Sequence, residues 1–103
     1  MEEKVKIGIL LDMYGVLLTS KQRNFMELYY NEDWSLSEIA ESNKITRQAV
    51  RAVLLKAKKK LEKYEEQLNF MKKQKIIKKC VEQLRELKVK KEVIDKIEKQ
   101  LDF

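Results

Sequence analysis

The chain of 103 residues contains no histidine, no proline, one cysteine and two glycines. Without histidine it lacks the side chain most often used for acid–base catalysis near neutral pH and for binding transition metals. The single cysteine excludes an internal disulfide bond and fits a reducing compartment. No apolar run is long enough to span a membrane, and the Met-Glu-Glu-Lys start does not resemble a signal peptide. We therefore expect a cytoplasmic protein that does not bind membranes and is not an enzyme.

No pattern for catalysis or for a bound cofactor is present either. The sequence has no glycine-rich phosphate loop and no metal-ligand spacing, and Cys80 has no histidine to activate it. Cys80 lies at helical spacing from Ile77, Val81 and Leu84, so we expect it to be a small core residue. We predict no catalytic residue, no metal site and no cofactor.

The residues that are abundant favour an all-α fold, because lysine, glutamate, leucine and isoleucine dominate and only Gly8 and Gly15 interrupt them. Residues 1–45 hold five basic and eight acidic residues, whereas residues 46–103 hold eighteen and nine. The second part therefore has a net charge of +9, which predicts a polyanionic partner. The simpler alternative is a lysine-rich surface that is only solvated.

The first thirty residues predict two helices. The first extends from about Lys4 to Leu18 and contains both glycines, whose cost of about 1 kcal/mol each suggests close packing against a neighbouring helix. Thr19 and Gln22 form a capping box at the start of the second helix, which reaches about Tyr30. Their spacing assigns the following residues to the core: Ile7, Leu10, Leu11, Tyr14, Leu17, Leu18, Phe25, Leu28 and Tyr29.

Residues 35–57 have the pattern of a helix-turn-helix. Ser35-Leu-Ser-Glu38 is a capping box at the start of a short helix, and Thr46 is a suitable N-cap for the next one. Between them, we expect Asn43 to adopt the left-handed backbone conformation, because lysine, the next residue, is unfavourable there. No acidic residue occurs between positions 46 and 60, so the second helix of the motif has a basic surface.

This second helix continues well beyond the motif. Apolar residues recur at three- and four-residue spacing over three heptads, at Val50, Leu54, Ala57, Leu61, Tyr64, Leu68 and Met71. Such a seam either packs within the chain or pairs with a second copy, and the sequence leaves both open. We divide the chain into a helix-turn-helix domain, 1–61, and a C-terminal helical extension, 62–103. The extension is the expected dimerisation region, because a two-fold symmetric homodimer suits two DNA half-sites.

Residues 19–61 resemble region 4 of bacterial sigma-70-type factors, a helix-turn-helix of the winged-helix-like DNA-binding superfamily that reads promoter DNA in the major groove. The resemblance lies in the runs Leu-Thr-Ser-Lys-Gln-Arg, Tyr-Tyr-Asn-Glu-Asp-Trp-Ser-Leu-Ser-Glu-Ile-Ala and Thr-Arg-Gln-Ala-Val. The whole chain is similar to the YlxM-like family, small bacterial proteins whose genes lie beside those of the signal recognition particle and its receptor. This resemblance implies a DNA-binding regulatory protein linked to the signal recognition particle pathway.

Helix-turn-helix docking places the N-terminal part of the second helix against base edges in the major groove. Arg47, Gln48 and Arg51 are the candidate base-reading residues, because arginine pairs with guanine O6/N7 and glutamine with adenine N6/N7 through two hydrogen bonds. Phosphate contacts are predicted for six further residues: Ser37, Thr46, Lys56, Lys58, Lys59 and Lys60. Duplex DNA is the partner that this pattern favours.

Two alternatives stay open. An RNA- or protein-binding adaptor of the signal recognition particle system would bind structured RNA through phosphates and shape. The lysines along 72–79 and 88–91 would then matter more than Arg47 or Gln48. In a purely structural helical dimer, the basic faces would only be solvated. Comparing binding to duplex DNA and to signal recognition particle RNA at equal salt separates DNA reading from the first alternative.

Overall fold

The computed structural model describes residues 2–101, and helices are the only regular secondary structure in that range. The helices are α1 (Glu3–Tyr14), α2 (Ser20–Tyr30), α3 (Leu36–Asn43), α4 (Arg47–Leu68), α5 (Phe70–Glu86) and α6 (Lys91–Leu101), with a one-turn 3-10 helix at Gly15–Leu17. The all-α prediction is confirmed. The chain forms two compact units, Met1–Leu68 and Asn69–Phe103. Residues 62–68, which the sequence analysis grouped with the extension, continue α4 within the first unit.

The core of the first unit forms where α4 packs against α1, α2 and α3. Its largest fully buried side chains are Tyr14, Phe25, Ile7, Leu10, Met26, Ile39, Leu61 and Val50. The apolar seam of α4 is therefore internal over its first three turns, where Val50, Leu54, Ala57 and Leu61 are all buried. Beyond them burial decreases, and Leu68 at the end of α4 is 39% exposed. The part of the seam at 50–61 is thus occupied by packing within the chain.

The first helix is shorter than predicted. It ends at Tyr14 rather than Leu18, and the 3-10 helix takes the place of its last turn. Because a 3-10 helix has about 3.0 residues per turn instead of 3.6, it changes the direction in which the following side chains project. As a result Leu18 is buried as expected, whereas Leu17 is 51% exposed.

The two glycines of this region differ in their surroundings. A Cβ atom at Gly15 would lie 3.4 Å from Leu11 Cδ1, an ordinary contact with a close neighbour. A Cβ atom at Gly8 would meet nothing within 4 Å. The expectation of close packing is therefore wrong for Gly8, and that glycine weakens α1 without allowing a close contact with any other part of residues 2–101.

The second helix begins at the predicted capping box. Thr19 Oγ1 accepts a hydrogen bond from the Gln22 amide (3.2 Å), and Gln22 Oε1 accepts one from the Thr19 amide (3.1 Å). Phe25 is buried as predicted, but Met26 is the other fully buried apolar residue, while Leu28 is only half-buried. The helix is therefore rotated slightly from the face that the spacing suggested.

The second unit is a hairpin of α5 and α6. Among its described residues Val81 and Ile94 are the buried ones, one on each helix. Arg85 and Glu98 form an ion pair between the two helices. Lys88 has a positive φ of 56° in the turn between them.

Cys80 is exposed, so its prediction as a core residue is wrong. Its neighbour Val81 is the residue that faces α6 and is only 4% exposed. Consecutive helical residues project about 100° apart, so burial of Val81 turns Cys80 away from the contact between the helices. Ile77, three residues before Cys80, is 40% exposed.

Candidate nucleic-acid interface

The helix-turn-helix starts at the predicted capping box of α3. Ser35 Oγ accepts a hydrogen bond from the Glu38 amide, and Glu38 Oε1 accepts one from the Ser35 amide, both at 3.1 Å. Ile39 and Ala40 are buried, and α3 packs against α4. Two satisfied amides at its start and an apolar side against α4 explain why so short a helix forms.

The turn between α3 and α4 differs by one residue from the prediction. Lys44, rather than Asn43, has the left-handed conformation, with φ 55° and ψ 43°. Asn43 remains the last residue of α3, where its side-chain amide donates to the Ile39 carbonyl (2.8 Å). The Ile45 amide donates back to the Ala40 carbonyl (3.0 Å), which completes a Schellman-type helix end. Asn43 thus uses its side chain to satisfy a terminal carbonyl, and the strained dihedrals fall on Lys44.

The next helix begins as predicted. Thr46 Oγ1 accepts a hydrogen bond from the Ala49 amide (3.1 Å), so Thr46 is the N-cap of α4. Arg47, Gln48 and Arg51 are exposed on the first turns of this helix. At roughly 100° per residue they fall within an arc of about 100°. The three candidate base-reading side chains are therefore presented together at a capped helix start.

Two of the predicted phosphate-binding lysines are directed elsewhere. Lys58 forms an ion pair with Glu3 of α1, and its side chain is only 26% exposed. Lys60 is half-buried, and its Nζ donates to Gln22 Oε1 at the start of α2 (3.3 Å). Both side chains thus bind residues of the first unit rather than extend outward from α4. The uninterrupted run Lys58-Lys59-Lys60 does not indicate this difference.

The remaining predicted residues are accessible, and one further residue joins them. Ser37 on α3 and the pair Lys56 and Lys59 on α4 are exposed. Leu55 is 47% exposed and lies seven residues after Gln48 and four before Lys59, which places all three on one side of α4. The sequence contains a signal for this exposure, because helical spacing places Leu55 on the side of α4 away from Val50. We call the surface formed by Arg47, Gln48, Arg51, Leu55, Lys56 and Lys59 the α4 outer face.

Two more cations lie near the turn that leads into α4. A shallow cleft brings the start of α2 beside this turn; its lining residues are Ser20, Lys21, Asn24, Phe25, Asn43 and Ile45. Lys21 Nζ is 5.8 Å from the centre of the Phe25 ring, a cation–π arrangement that limits where the side chain can point. Lys44 is exposed at the turn itself. Neither lysine was predicted as a phosphate contact, because their proximity arises only when α2 packs against α3.

The chemistry available on this surface is that of hydrogen-bond donors and positive charge. Between residues 2 and 101 no group of acidic, cysteine or histidine side chains is arranged to hold a metal ion. Over the same residues no helix has both the length and the apolar character needed to cross a membrane. On α4 the first acidic residue is Glu62, so the first four turns present guanidinium, amide and ammonium groups without a competing carboxylate.

Comparison with known proteins agrees with this fold. A family model described as "Putative helix-turn-helix protein, YlxM / p13 like" (UPF0122) matches residues 1–101. A UPF0122 protein of Clostridium kluyveri is 51% identical over 77 residues, which cover 75% of this chain and 69% of that protein. A UPF0122 protein of Clostridium botulinum is 47% identical over 90 residues, covering 84% and 83%. One from Clostridium novyi is 41% identical over 97 residues, covering 94% and 76%.

Proposed function

The chain belongs to the YlxM/p13-like helix-turn-helix family, and on that premise we propose that it binds duplex DNA with the α4 outer face in the major groove. One observation carries the proposal. Arg47, Gln48 and Arg51 are exposed together at the capped start of α4, in a segment free of acidic residues. Helix-turn-helix proteins place this part of the second helix against base edges.

The base-reading chemistry follows from the side chains at these positions. The guanidinium groups of Arg47 and Arg51 suit the O6 and N7 acceptors of guanine, and the Gln48 amide suits N6 and N7 of adenine. Leu55, one to two turns further along, offers an apolar contact for the methyl group of thymine. We therefore expect the preferred half-site to place guanine against Arg47 or Arg51, adenine against Gln48, or both.

Phosphate contacts then surround the base-reading residues. Lys56 and Lys59 are exposed on α4, and Thr46 and Ser37 are polar groups near the starts of α4 and α3. Lys21 and Lys44 extend the positive surface toward the turn. Lys58 and Lys60 are left out of this set because Lys58 forms an ion pair with Glu3 and the Lys60 ammonium group donates a hydrogen bond to Gln22. These contacts fix orientation and contribute affinity without reading sequence.

The oligomeric state and the biological context are further parts of the proposal. A homodimer on two half-sites remains a prediction, but the seam at 50–61 cannot supply its contact because those residues are buried within the chain. A dimer contact must therefore lie elsewhere on the surface. A regulatory role linked to the signal recognition particle pathway is a prediction that rests on the family resemblance alone. The cytoplasmic location is a prediction from the composition of the sequence.

The RNA-binding adaptor is retained as a second candidate because one observation favours it. The five lysines between positions 72 and 79, and the three between 88 and 91, are all exposed on the second unit. These lysines make the second unit basic, and duplex reading by α4 does not use them. Structured RNA recognised through phosphates and shape would bind there.

Selection of bound fragments from a random duplex pool tests the DNA proposal, and a palindrome in the enriched sequence would support the homodimer. In a titration against the enriched duplex, Arg47→Ala/Arg51→Ala should weaken binding by roughly 5- to 150-fold for each arginine that reads a base. The matched control, Lys75→Ala/Lys79→Ala, removes the same charge from α5 and should change binding little. If the control variant weakens binding as much as the arginine variant, base reading by α4 is refuted. If the control variant fails to bind signal recognition particle RNA and the arginine variant binds it normally, the adaptor is favoured.

A further inference from the structure

The second unit has an apolar surface that its own helices do not cover. On α5 and just after it, Ile76 is 55% exposed, Ile77 40% and Leu87 75%, and on α6 Val93 is 47% exposed. Cys80 is exposed among them. We call this set, Ile76, Ile77, Cys80, Leu87 and Val93, the hairpin apolar face. So many exposed large aliphatic side chains on so small a hairpin indicate a contact surface rather than a random scatter.

The members of the face on α5 form one continuous stripe. At roughly 100° per residue, Ile76, Ile77 and Cys80 fall within about 100° of arc around α5, with Cys80 near the centre. The half-buried Leu84 lies in the same arc, one turn after Cys80. The stripe from Ile76 to Leu87 is about 17 Å long at roughly 1.5 Å per residue. This is the length of a three-turn helix, a size that suits a helix docking into an apolar groove.

Basic residues outnumber acidic ones around the hairpin apolar face. Residues 69–103 hold eleven lysine or arginine residues and six acidic ones. Lys73 lies two turns before Cys80, about 20° from it around α5, and so sits on the stripe itself. Three of the carboxylates, Glu82, Asp95 and Glu98, line the cleft between α5 and α6, and Glu86 lies about 120° from Cys80 around α5. The apolar stripe on α5 is therefore accompanied by an ammonium group, with these carboxylates turned away from it.

From this arrangement we infer that the hairpin apolar face docks an amphipathic helix of a partner protein that carries carboxylates beside its own apolar stripe. Charge complementarity selects this occupant. A second copy would present its own lysine on this stripe rather than a carboxylate, so its stripe lacks the opposite charge that complements Lys73. The surface belongs to the second unit and does not involve the α4 outer face, so this inference is independent of the proposed DNA binding.

The test uses the full chain and two fluorescent synthetic helices of about eighteen residues. Both have the same leucine stripe; one has glutamate beside it and the other lysine. Fluorescence anisotropy measures binding of each helix. Cys80 is the only cysteine of the chain, so slower modification of the protein by a small maleimide reports that the hairpin apolar face is occupied. We expect the glutamate helix to bind saturably and to slow Cys80 modification, and the lysine helix to do neither.

Matched variants separate docking from general attraction between opposite charges. Lys73→Glu and Lys75→Glu change the net charge equally, but Lys75 lies about 140° from Cys80 around α5. The first should weaken binding of the glutamate helix by roughly two- to thirtyfold, and the second by less than about twofold. Ile76→Ser/Ile77→Ser, which alters only exposed side chains, should weaken it by about tenfold or more while circular dichroism stays unchanged.

Five results would overturn the inference. Equal binding of the two helices, or equal effects of the two lysine variants, would mean nonspecific attraction. Unchanged Cys80 reactivity at saturating peptide would place the peptide elsewhere. Self-association abolished by Ile76→Ser/Ile77→Ser would make a second copy the occupant. Protection of Cys80 by vesicles of phosphatidylcholine and phosphatidylglycerol, but not by the glutamate helix, would make it a lipid surface.

Discussion

The four clustered lysines of α4 give a quantitative test of the proposed DNA interface. Lys56 and Lys59 are exposed, whereas Lys58 is paired with Glu3 and Lys60 donates to Gln22. The four residues are close neighbours in sequence and carry the same charge, so the sequence alone treats them as equivalent. If the structure determines which of them meet phosphate, Lys56→Gln/Lys59→Gln and Lys58→Gln/Lys60→Gln must behave differently.

The expected difference follows from counterion release. Each phosphate neutralised by a cation contributes about 0.9 to the slope of log affinity against log salt concentration. Lys56→Gln/Lys59→Gln should therefore reduce the slope by about 1.8. Between about 50 and 200 mM salt, wild-type affinity should then fall roughly twelvefold more than that of the variant. Lys58→Gln/Lys60→Gln should leave the slope within error of wild type, because those charges are not directed at the duplex.

Fluorescence anisotropy titrations of a labelled duplex at several salt concentrations measure these slopes. Thermal unfolding of each variant is the control, since removing the Lys58–Glu3 pair affects the packing of α1 against α4. An equal reduction of slope in the two double variants would refute the assignment. Unchanged slopes in both would show that the α4 outer face is not the surface that meets the backbone.

Four further substitutions test the packing argument through urea or alkaline unfolding. Lys44→Gly should stabilise the chain by about 0.5–1 kcal/mol, because glycine adopts the left-handed turn without strain; a destabilised variant contradicts this assignment. Gly8→Ala should add about 0.5–1 kcal/mol, since its Cβ meets no atom, and a lower stability would reveal a contact at that position. Tyr14→Phe should cost about 1–3 kcal/mol by removing the hydrogen bond to the Glu65 carboxylate; an unchanged urea midpoint would show the bond to be unimportant. Burial, with smaller effects of neighbouring charges, raises the pKa of Tyr30 above its ordinary value. The neutral Tyr30 phenol therefore contributes its full share of the free energy of unfolding below about pH 10, and this contribution is lost as the pH rises through the pKa of the folded state. The free energy of unfolding of Tyr30→Phe should therefore decrease less with rising alkaline pH than that of the wild type, and an equal decrease in both proteins would contradict this assignment.

The helix-turn-helix could be predicted from local sequence because its signals act over a few residues. Capping boxes at Thr19 and Ser35, and the N-cap at Thr46, each involve hydrogen bonds within three residues, and all three are present. The helical spacing of Val50, Leu54 and their partners depends only on a period of about 3.6 residues, and their burial was predicted correctly. These are properties that a chain encodes without reference to distant segments.

Where the prediction was wrong, two nearly equal local choices were decided by the surrounding structure. Asn43 is locally the better residue for positive φ, yet its side chain donates a hydrogen bond to the Ile39 carbonyl and it remains helical. The hydrogen bond from the Ile45 amide to the Ala40 carbonyl then requires the left-handed conformation at Lys44. Cys80 has a suitable spacing for the core, but α6 packs against the side of α5 that carries Val81, so Val81 is buried and Cys80 is exposed.

The sequence by itself determined that this protein is helical, where α4 begins and that its second part is basic, because capping, periodicity and charge are local. Only the tertiary structure decided which of those charges remain exposed. Lys58 and Lys59 are indistinguishable along the chain, but α1 brings Glu3 to one of them and leaves the other in solvent. The physical reason is that the partners of a side chain are set by the packing of helices far apart in sequence, and no local pattern carries that information.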